Sequence, residues 1–181
     1  MSSDRPRILV LDRLEPSALQ RLEVAGDVTV VPDPGSVDVA AIIAPYEAVV
    51  IRTSTQLTAA VLENAAKLKV IGRAGVGLDN IDLEAAGRRG ITVVYTPESG
   101  TEAVADLTIG MLLCCLRRIH EVHAEVLAGR HQQARSLPPA RQMSELTMGI
   151  VGMGRIGRAV GRRCRWGFGM RVVYHDIVDV G

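Results

Sequence analysis

Short unbroken runs of valine, isoleucine and leucine recur through the first half of the chain. They are separated by segments in which apolar residues return every three or four positions. RILVLD (residues 7–12), VTVV (28–31), AVVIR (48–52), KVIGR (69–73) and ITVVY (91–95) have the length and β-branched content of buried strands. Between them, PSALQRLEVAG (16–26) carries Leu19, Leu22 and Val24 at helical spacing and stops on glycine. VDVAAIIA (37–44) is a further apolar segment. LTAAVLENAAKL (57–68) predicts a helix with Thr55 or Thr58 near its start, and LEAAGRRG (83–90) predicts a short helix closed by Gly90. Apolar strands without polar alternation, interleaved with helices, predict a parallel sheet covered on both faces. Five of them within about 95 residues make a complete small α/β domain.

The pattern changes at residue 102. Val104, Leu107, Met111, Leu112, Cys115 and Ile119 repeat at helical spacing, and one long helix is expected over 102–128 with Gly129 as its stop. Residues 130–145, with paired prolines and many polar side chains, predict a loop or linker. A strand at 146–151, a helix at 155–166 and a strand at 170–176 follow.

Composition narrows the classes. The chain of 181 residues is 48% hydrophobic and 23% charged, with a formal net charge of +1, so no global field steers it to nucleic acid or acidic membranes. Cys114, Cys115 and Cys164 are an odd set, two of them neighbours in an apolar run. They suggest no disulfide framework, and a reducing, cytoplasmic location is expected. The polar start MSSDRPR has no signal-peptide character, and the longest apolar stretch, near 107–116, is too short to span a bilayer.

The second half also carries the clearest chemistry. Gly152, Gly154 and Gly157 sit between the strand at 146–151 and the helix at 155–166. In that context one glycine makes a tight turn, one admits a pyrophosphate to the backbone and one lets helix and strand pack closely. The helix start offers free N–H groups and partial positive charge to phosphate. Asp176 ends the next strand, about 20 residues past the last glycine, where a carboxylate grips ribose hydroxyls. A carboxylate there repels a 2′-phosphate, which favours NAD over NADP. The competing reading is an α/β turn that merely tolerates glycine.

VIRTST (50–55), LKVIGRAGVGLDNIDLEAAGRRGITV (68–93), TEAVADLTIGMLL (101–113) and LTMGIVGMGRIGRAV (146–160) together resemble the D-isomer-specific 2-hydroxyacid dehydrogenase family, and within it the phosphoglycerate-using members. Over residues 1–47 the resemblance is one of pattern more than motif. It implies a flavodoxin-like parallel-sheet substrate domain at residues 1–100. At 101–181 it implies an interdomain helix and the first βαβ unit of a Rossmann NAD-binding domain, incomplete here. The implied activity is hydride transfer between a 2-hydroxy acid, with 3-phosphoglycerate a candidate, and NAD. A histidine moves the proton, a carboxylate orients it and an arginine holds the substrate carboxylate. In the family those three residues lie beyond the position matching Gly181. No proton-transfer residue is therefore expected in this chain, which reads as the N-terminal part of a longer dehydrogenase.

Carried over position by position, the backbone of Ala74, Gly75, Val76 and Gly77 faces the substrate carboxylate, with Val76 also toward the nicotinamide. Arg52 and Arg73 match positions facing a substrate phosphate, although ordinary strand-end arginines paired with local carboxylates are the competing reading. Arg155 and Ile156 match the pair whose backbone meets the pyrophosphate, and Asp176 the ribose acid. The long helix matches a homodimer face. Two departures stand out: Tyr95 and Gly100 replace asparagines frequent in the family, and RRCRWGFGM (162–170) holds one extra residue, implying a shifted helix end.

Other readings are weaker. His120 and His123 lie three apart but lack a third metal ligand, and no metal site is expected. Arg155, Arg158 and Arg162 share a helix face, yet the aromatic fraction of 3% argues for a solvated face and against nucleic acid. A non-catalytic NAD-binding, co-repressor-like module and a degenerate remnant remain as alternatives to an enzyme.

Overall fold

The structure, a computed structural model, describes residues 5–179. The chain divides into two compact units between Ser99 and Gly100. In the first, β1 (Arg7–Leu11), β2 (Asp27–Val31), β3 (Ala48–Ile51), β4 (Val70–Arg73) and β5 (Thr92–Tyr95) form one all-parallel sheet in the order 2-1-3-4-5. This is the flavodoxin-like order of a doubly wound sheet. Four of the five residues of β1 are buried, whereas the outer strands β2 and β5 have none buried. The run ILVL (8–11) is thus continuously apolar because its strand is covered on both faces.

Helices α1 (Pro16–Ala25), α2 (Val39–Ile42), α3 (Ala59–Asn64) and α4 (Leu83–Arg88) connect the strands. Leu9, Leu11, Ile43, Val49, Ile51, Leu57, Leu62 and Ile71 are fully buried in the core they share. Thr58 caps α3 by accepting from the Val61 N–H at 3.4 Å, and Asp82 caps α4 by accepting from the Ala85 N–H at 2.8 Å. The helix expected over 57–68 is shorter. Leu57 is held in an extended bridge to Ile81, donating to Asn80 O and accepting from the Asp82 N–H, both at 2.9 Å. The far end turns at Ala65 so that Leu68 can enter the core. The apolar segment at 37–44 is the single-turn helix α2, started by the Asp38 carboxylate accepting from the Ala40 N–H.

The second unit comprises α5 (Thr101–Arg117), α6 (Ile119–Leu127), α7 (His131–Arg135), β6 (Thr147–Val151), α8 (Arg155–Arg162) and β7 (Arg171–His175). β6 and β7 pair in parallel around the α8 crossover, with Gly149 opposite Val173. Ala105 and Ile109 of α5 pack with Ile150, Ala159, Val160, Cys164 and Met170. Arg163 fastens the same helix pair, donating to Glu102 and to Asp106 at 2.7 Å each.

Three expectations fail in this unit. The helix over 102–128 is two helices: Arg118 adopts φ 53°, ψ 35°, its N–H closes α5 on Cys114 O and its carbonyl opens α6. Neither glycine nor proline marks that break. The left-handed residue is held locally, its guanidinium donating to the Glu121 carboxylate at 2.8 Å. Along α5 Ala105 and Ile109 are buried, while Val104, Leu107 and Met111 are 42%, 63% and 61% exposed. The region 130–145 is not wholly loop, since α7 lies in it, as does a 3₁₀ turn at Met143–Glu145 that buries Met143. Finally, the helix expected to reach residue 166 stops at Arg162 and continues as a π-helical turn over Arg163–Gly167. A π turn holds one more residue than an α turn.

Candidate functional site

Both units present their loops at the carboxyl ends of parallel strands. In the first, the chain leaves β1 toward β2 on one side and leaves β3 toward β4 on the other. The crevice between such diverging connections is where open α/β sheets take ligands. A cleft of about 450 Å³ opens there, lined by Arg13 and Glu15 beyond β1, Arg52 beyond β3, Ala74 beyond β4, and Thr96 and Ser99 beyond β5. Asp12, at φ 147°, turns the chain sharply out of β1. Its carboxylate accepts from the Arg13 N–H at 2.7 Å and from the Ser54 hydroxyl at 3.4 Å, and lies 3.9 Å from the Arg52 guanidinium.

The sequence-derived substrate residues fall into two groups. Arg52 and Ala74 line the cleft. Arg73 folds back over its own loop, donating to Ala74 O at 3.1 Å and toward the Thr53 hydroxyl at 3.5 Å, with its Nε buried and unpartnered. Gly75 makes room for it: at φ 154°, an added Cβ would collide with Arg73 Nη1. Val76 is exposed, and among the described residues the N–H groups of Val76 and Gly77 have no hydrogen-bond partner. Such free amides suit an anion.

A buried amide holds this loop to the one carrying Arg52. Asn80, 4% exposed, donates to the carbonyls of Arg52 at 2.9 Å and Thr55 at 2.7 Å. Sequence reasoning passed over Asn80, Asp12 and Arg13. A charged pair directly after the first strand was the available signal for the last two.

In the second unit Gly152 and Gly154 lie between β6 and α8, and Gly157 lies in the first turn of α8. Gly152 takes φ 93°, outside the range easily reached by other residues. A Cβ on Gly157 would collide with the Gly152 carbonyl oxygen, so glycine alone allows α8 to approach β6 this closely. Gly154 is different: a Cβ there would meet nothing within 4 Å, so packing does not demand glycine and the space beside it is open. Gly154 is the N-cap of α8 and no side chain caps that helix. The first amides, those of Arg155, Ile156 and Gly157, therefore keep their N–H groups for a ligand.

Asp176 braces this turn, with Oδ2 accepting from the Met153 N–H at 2.5 Å and Oδ1 from the Val178 N–H at 3.2 Å. The Met153 hydrogen bond, followed by that of Val178, holds its pKa below the usual aspartate value. A glycine turn with open space beside Gly154, free helix-start amides and a fixed carboxylate fits a dinucleotide. Another opening of about 420 Å³, between α8 and β7 near Trp166 and Tyr174, touches neither the three glycines of the turn nor Asp176.

Other candidates are placed elsewhere. His120 and His123 are exposed on α6, His131 is exposed on α7, and His175 contributes its carbonyl to the Gly152 N–H at 2.8 Å. Among the described residues no group of three or more His, Cys, Asp or Glu is arranged to hold a metal ion. No helix there is long and apolar enough to cross a membrane. On α8, Arg158 donates to Met153 O and Arg162 pairs with Glu102, so part of that basic face is already neutralised.

The sequence profile of the D-isomer specific 2-hydroxyacid dehydrogenase catalytic domain matches residues 8–171. The chain belongs to that family. Among its relatives is the D-3-phosphoglycerate dehydrogenase of Methanocaldococcus jannaschii, 39% identical over 94% of this chain and 32% of its own length. A solved structure from Thermus thermophilus superposes with a TM-score of 0.85 at 39% identity, covering 96% of this chain and 57% of that one. The D-lactate dehydrogenase of Aquifex aeolicus, solved with NAD and lactic acid, gives 0.81 at 26% identity, over 95% of this chain and 52% of that one. The chain spans about a third of the length of the curated relatives it matches.

Proposed function

We propose that this chain forms part of an NAD-dependent 2-hydroxyacid dehydrogenase acting on an anionic substrate, with 3-phosphoglycerate the leading candidate. Residues 1–100 would carry the substrate side and 101–181 the start of the cofactor side. The reading rests chiefly on one observation: Asp176, just after β7, accepts from Met153 within the glycine turn, leaving the α8 amides free. Arg155, Ile156 and Gly157 would hold the pyrophosphate through the backbone, and Asp176 the ribose hydroxyls. Bound nicotinamide supplies the hydride chemistry.

The hydrogen bonds that lower the Asp176 pKa favour its anionic form, which disfavours a 2′-phosphate and supports NAD over NADP. Arg52 and the free amides of Val76 and Gly77 would hold the substrate's anionic groups, beside Ala74 and Gly75. Arg73 would join them by swinging off its loop. No histidine lines either cleft, so the proton-transfer group would come from outside these residues. The exposed stripe of Val104, Leu107 and Met111 supports a homodimer. The family relationship supports a cytoplasmic enzyme more weakly.

The test is binding of NADH and NADPH to the purified chain by calorimetry. NADH should bind more tightly than NADPH, and Asp176→Ala should weaken NADH about tenfold or more while narrowing that difference. Because the carboxyl pKa is lowered, NADH affinity should hold from pH 8 to 5 and decline only in stronger acid. Unchanged NADH affinity in Asp176→Ala would remove the ribose assignment.

A further inference from the structure

We propose that Arg13 is a specificity-determining residue that, together with Arg52, receives the phosphate of a phosphorylated 2-hydroxy acid in the cleft between β1 and β3. This inference rests on the functional reading above and adds a residue to its substrate side. Three observations carry it.

The first is position. Arg13 and Arg52 each lie within two residues of the carboxyl ends of β1 and β3, the two strands whose onward connections diverge. The crevice of the sheet is therefore flanked by one guanidinium from each side. Both line the same cleft of about 450 Å³, whereas Arg73 does not.

The second is availability. Among the described residues the Arg13 guanidinium has no hydrogen bond or ion pair; only its backbone N–H is engaged, by Asp12. Arg52 has a single loose pairing, 3.9 Å from Asp12. Arg73, Arg88 and Arg89 by contrast all donate to nearby oxygens. The strained backbone of Asp12 and its bonds to the Arg13 N–H and Ser54 hydroxyl tie the two arginine-bearing turns together. Backbone strain of this kind concentrates at ligand sites.

The third is charge. The cleft lining carries two guanidiniums against the one carboxylate of Glu15, with the hydroxyls of Thr96 and Ser99 on the far wall. A phosphate monoester carries between one and two negative charges near neutral pH. With Glu15 in the lining and Asp12 3.9 Å from Arg52, Arg52 alone brings no net positive charge to the phosphate, and Arg13 supplies it. A substrate ending in a methyl group would leave Arg13 without a partner, so the same residue discriminates against it.

The experiment titrates the 181-residue chain with 3-phosphoglycerate and with D-glycerate, which lacks the phosphate, reading amide shifts by NMR. Variants are Arg13→Ala, Arg52→Ala and Glu15→Gln, each checked for wild-type thermal melting. Arg13→Ala should weaken 3-phosphoglycerate about tenfold and D-glycerate less than about twofold. Glu15→Gln should tighten 3-phosphoglycerate by about threefold, a gain that misfolding cannot mimic. If Arg52→Ala loses binding while Arg13→Ala and Glu15→Gln match wild type, Arg13 lies outside the subsite and the inference falls, the functional reading standing. If D-glycerate binds as well as 3-phosphoglycerate, the phosphate assignment falls for both arginines. If neither acid binds and NADH also fails to bind, the functional reading itself fails.

Discussion

At the scale of single residues, the last two glycines of the turn between β6 and α8 have different reasons to be glycine. Gly157 faces a backbone oxygen that cannot step aside, while Gly154 faces open space. Gly157→Ala should therefore destabilise the second unit by about 1–3 kcal/mol, the usual cost of overpacking, and weaken NADH with it. Gly154→Ala should leave the melting temperature unchanged while still weakening NADH, because its methyl would enter the space proposed for pyrophosphate. Paired melting curves and NADH titrations separate the two cases. The spacing of these glycines and of Asp176 is read directly off the sequence. Where Arg73 points was not: a long side chain can turn to solvent or fold onto its loop, and only the missing Cβ of Gly75 makes the second course possible. The free Arg13 went unnoticed because nothing in its immediate sequence says which strands lie side by side.

At the scale of elements, the parallel strands were legible as continuous apolar runs, since the inner strands β1, β3 and β4 supply much of the buried core. Helix ends were less so. The break at Arg118 lacks the glycine that commonly ends a helix in the left-handed region, and its Cβ costs about 1–2 kcal/mol there. Arg118→Gly should relieve that strain but lose the pairing with Glu121 and add flexibility to the unfolded chain, for a net gain of about 0.5–1 kcal/mol. The check is a chemical denaturation midpoint; a lower midpoint would mean that the Glu121 pairing dominates. The apolar period of α5 was legible as helical, but the period alone does not say which residues it buries. Small Ala105 lets α8 approach, and this close packing outranks the larger Leu107 and Met111.

At the scale of the whole chain, each unit has its own buried cluster. The first contains a complete five-stranded sheet, so residues 1–99 alone should fold cooperatively and melt in a single transition. Circular dichroism on that segment checks it, and a broad, shallow melt would show that it depends on residues beyond Ser99. The sequence showed the strand-and-helix alternation of the first 95 residues and the long apolar helical stretch that follows, because each follows from its own hydrophobic period. The π turn that follows α8 was not visible, since π turns carry no composition of their own. That wide turn, Arg163–Gly167, lies after the glycines and before the strand that leads to Asp176. A codon gained or lost there in the history of the gene would alter a bend beside Trp166. It would leave the spacing from Gly152 to Gly157 and the run of β7 into Asp176 untouched. The same slip between Gly152 and Gly157 would rotate the amides away from their target. Drift in length thereby finds a stretch of this crossover where it does little harm.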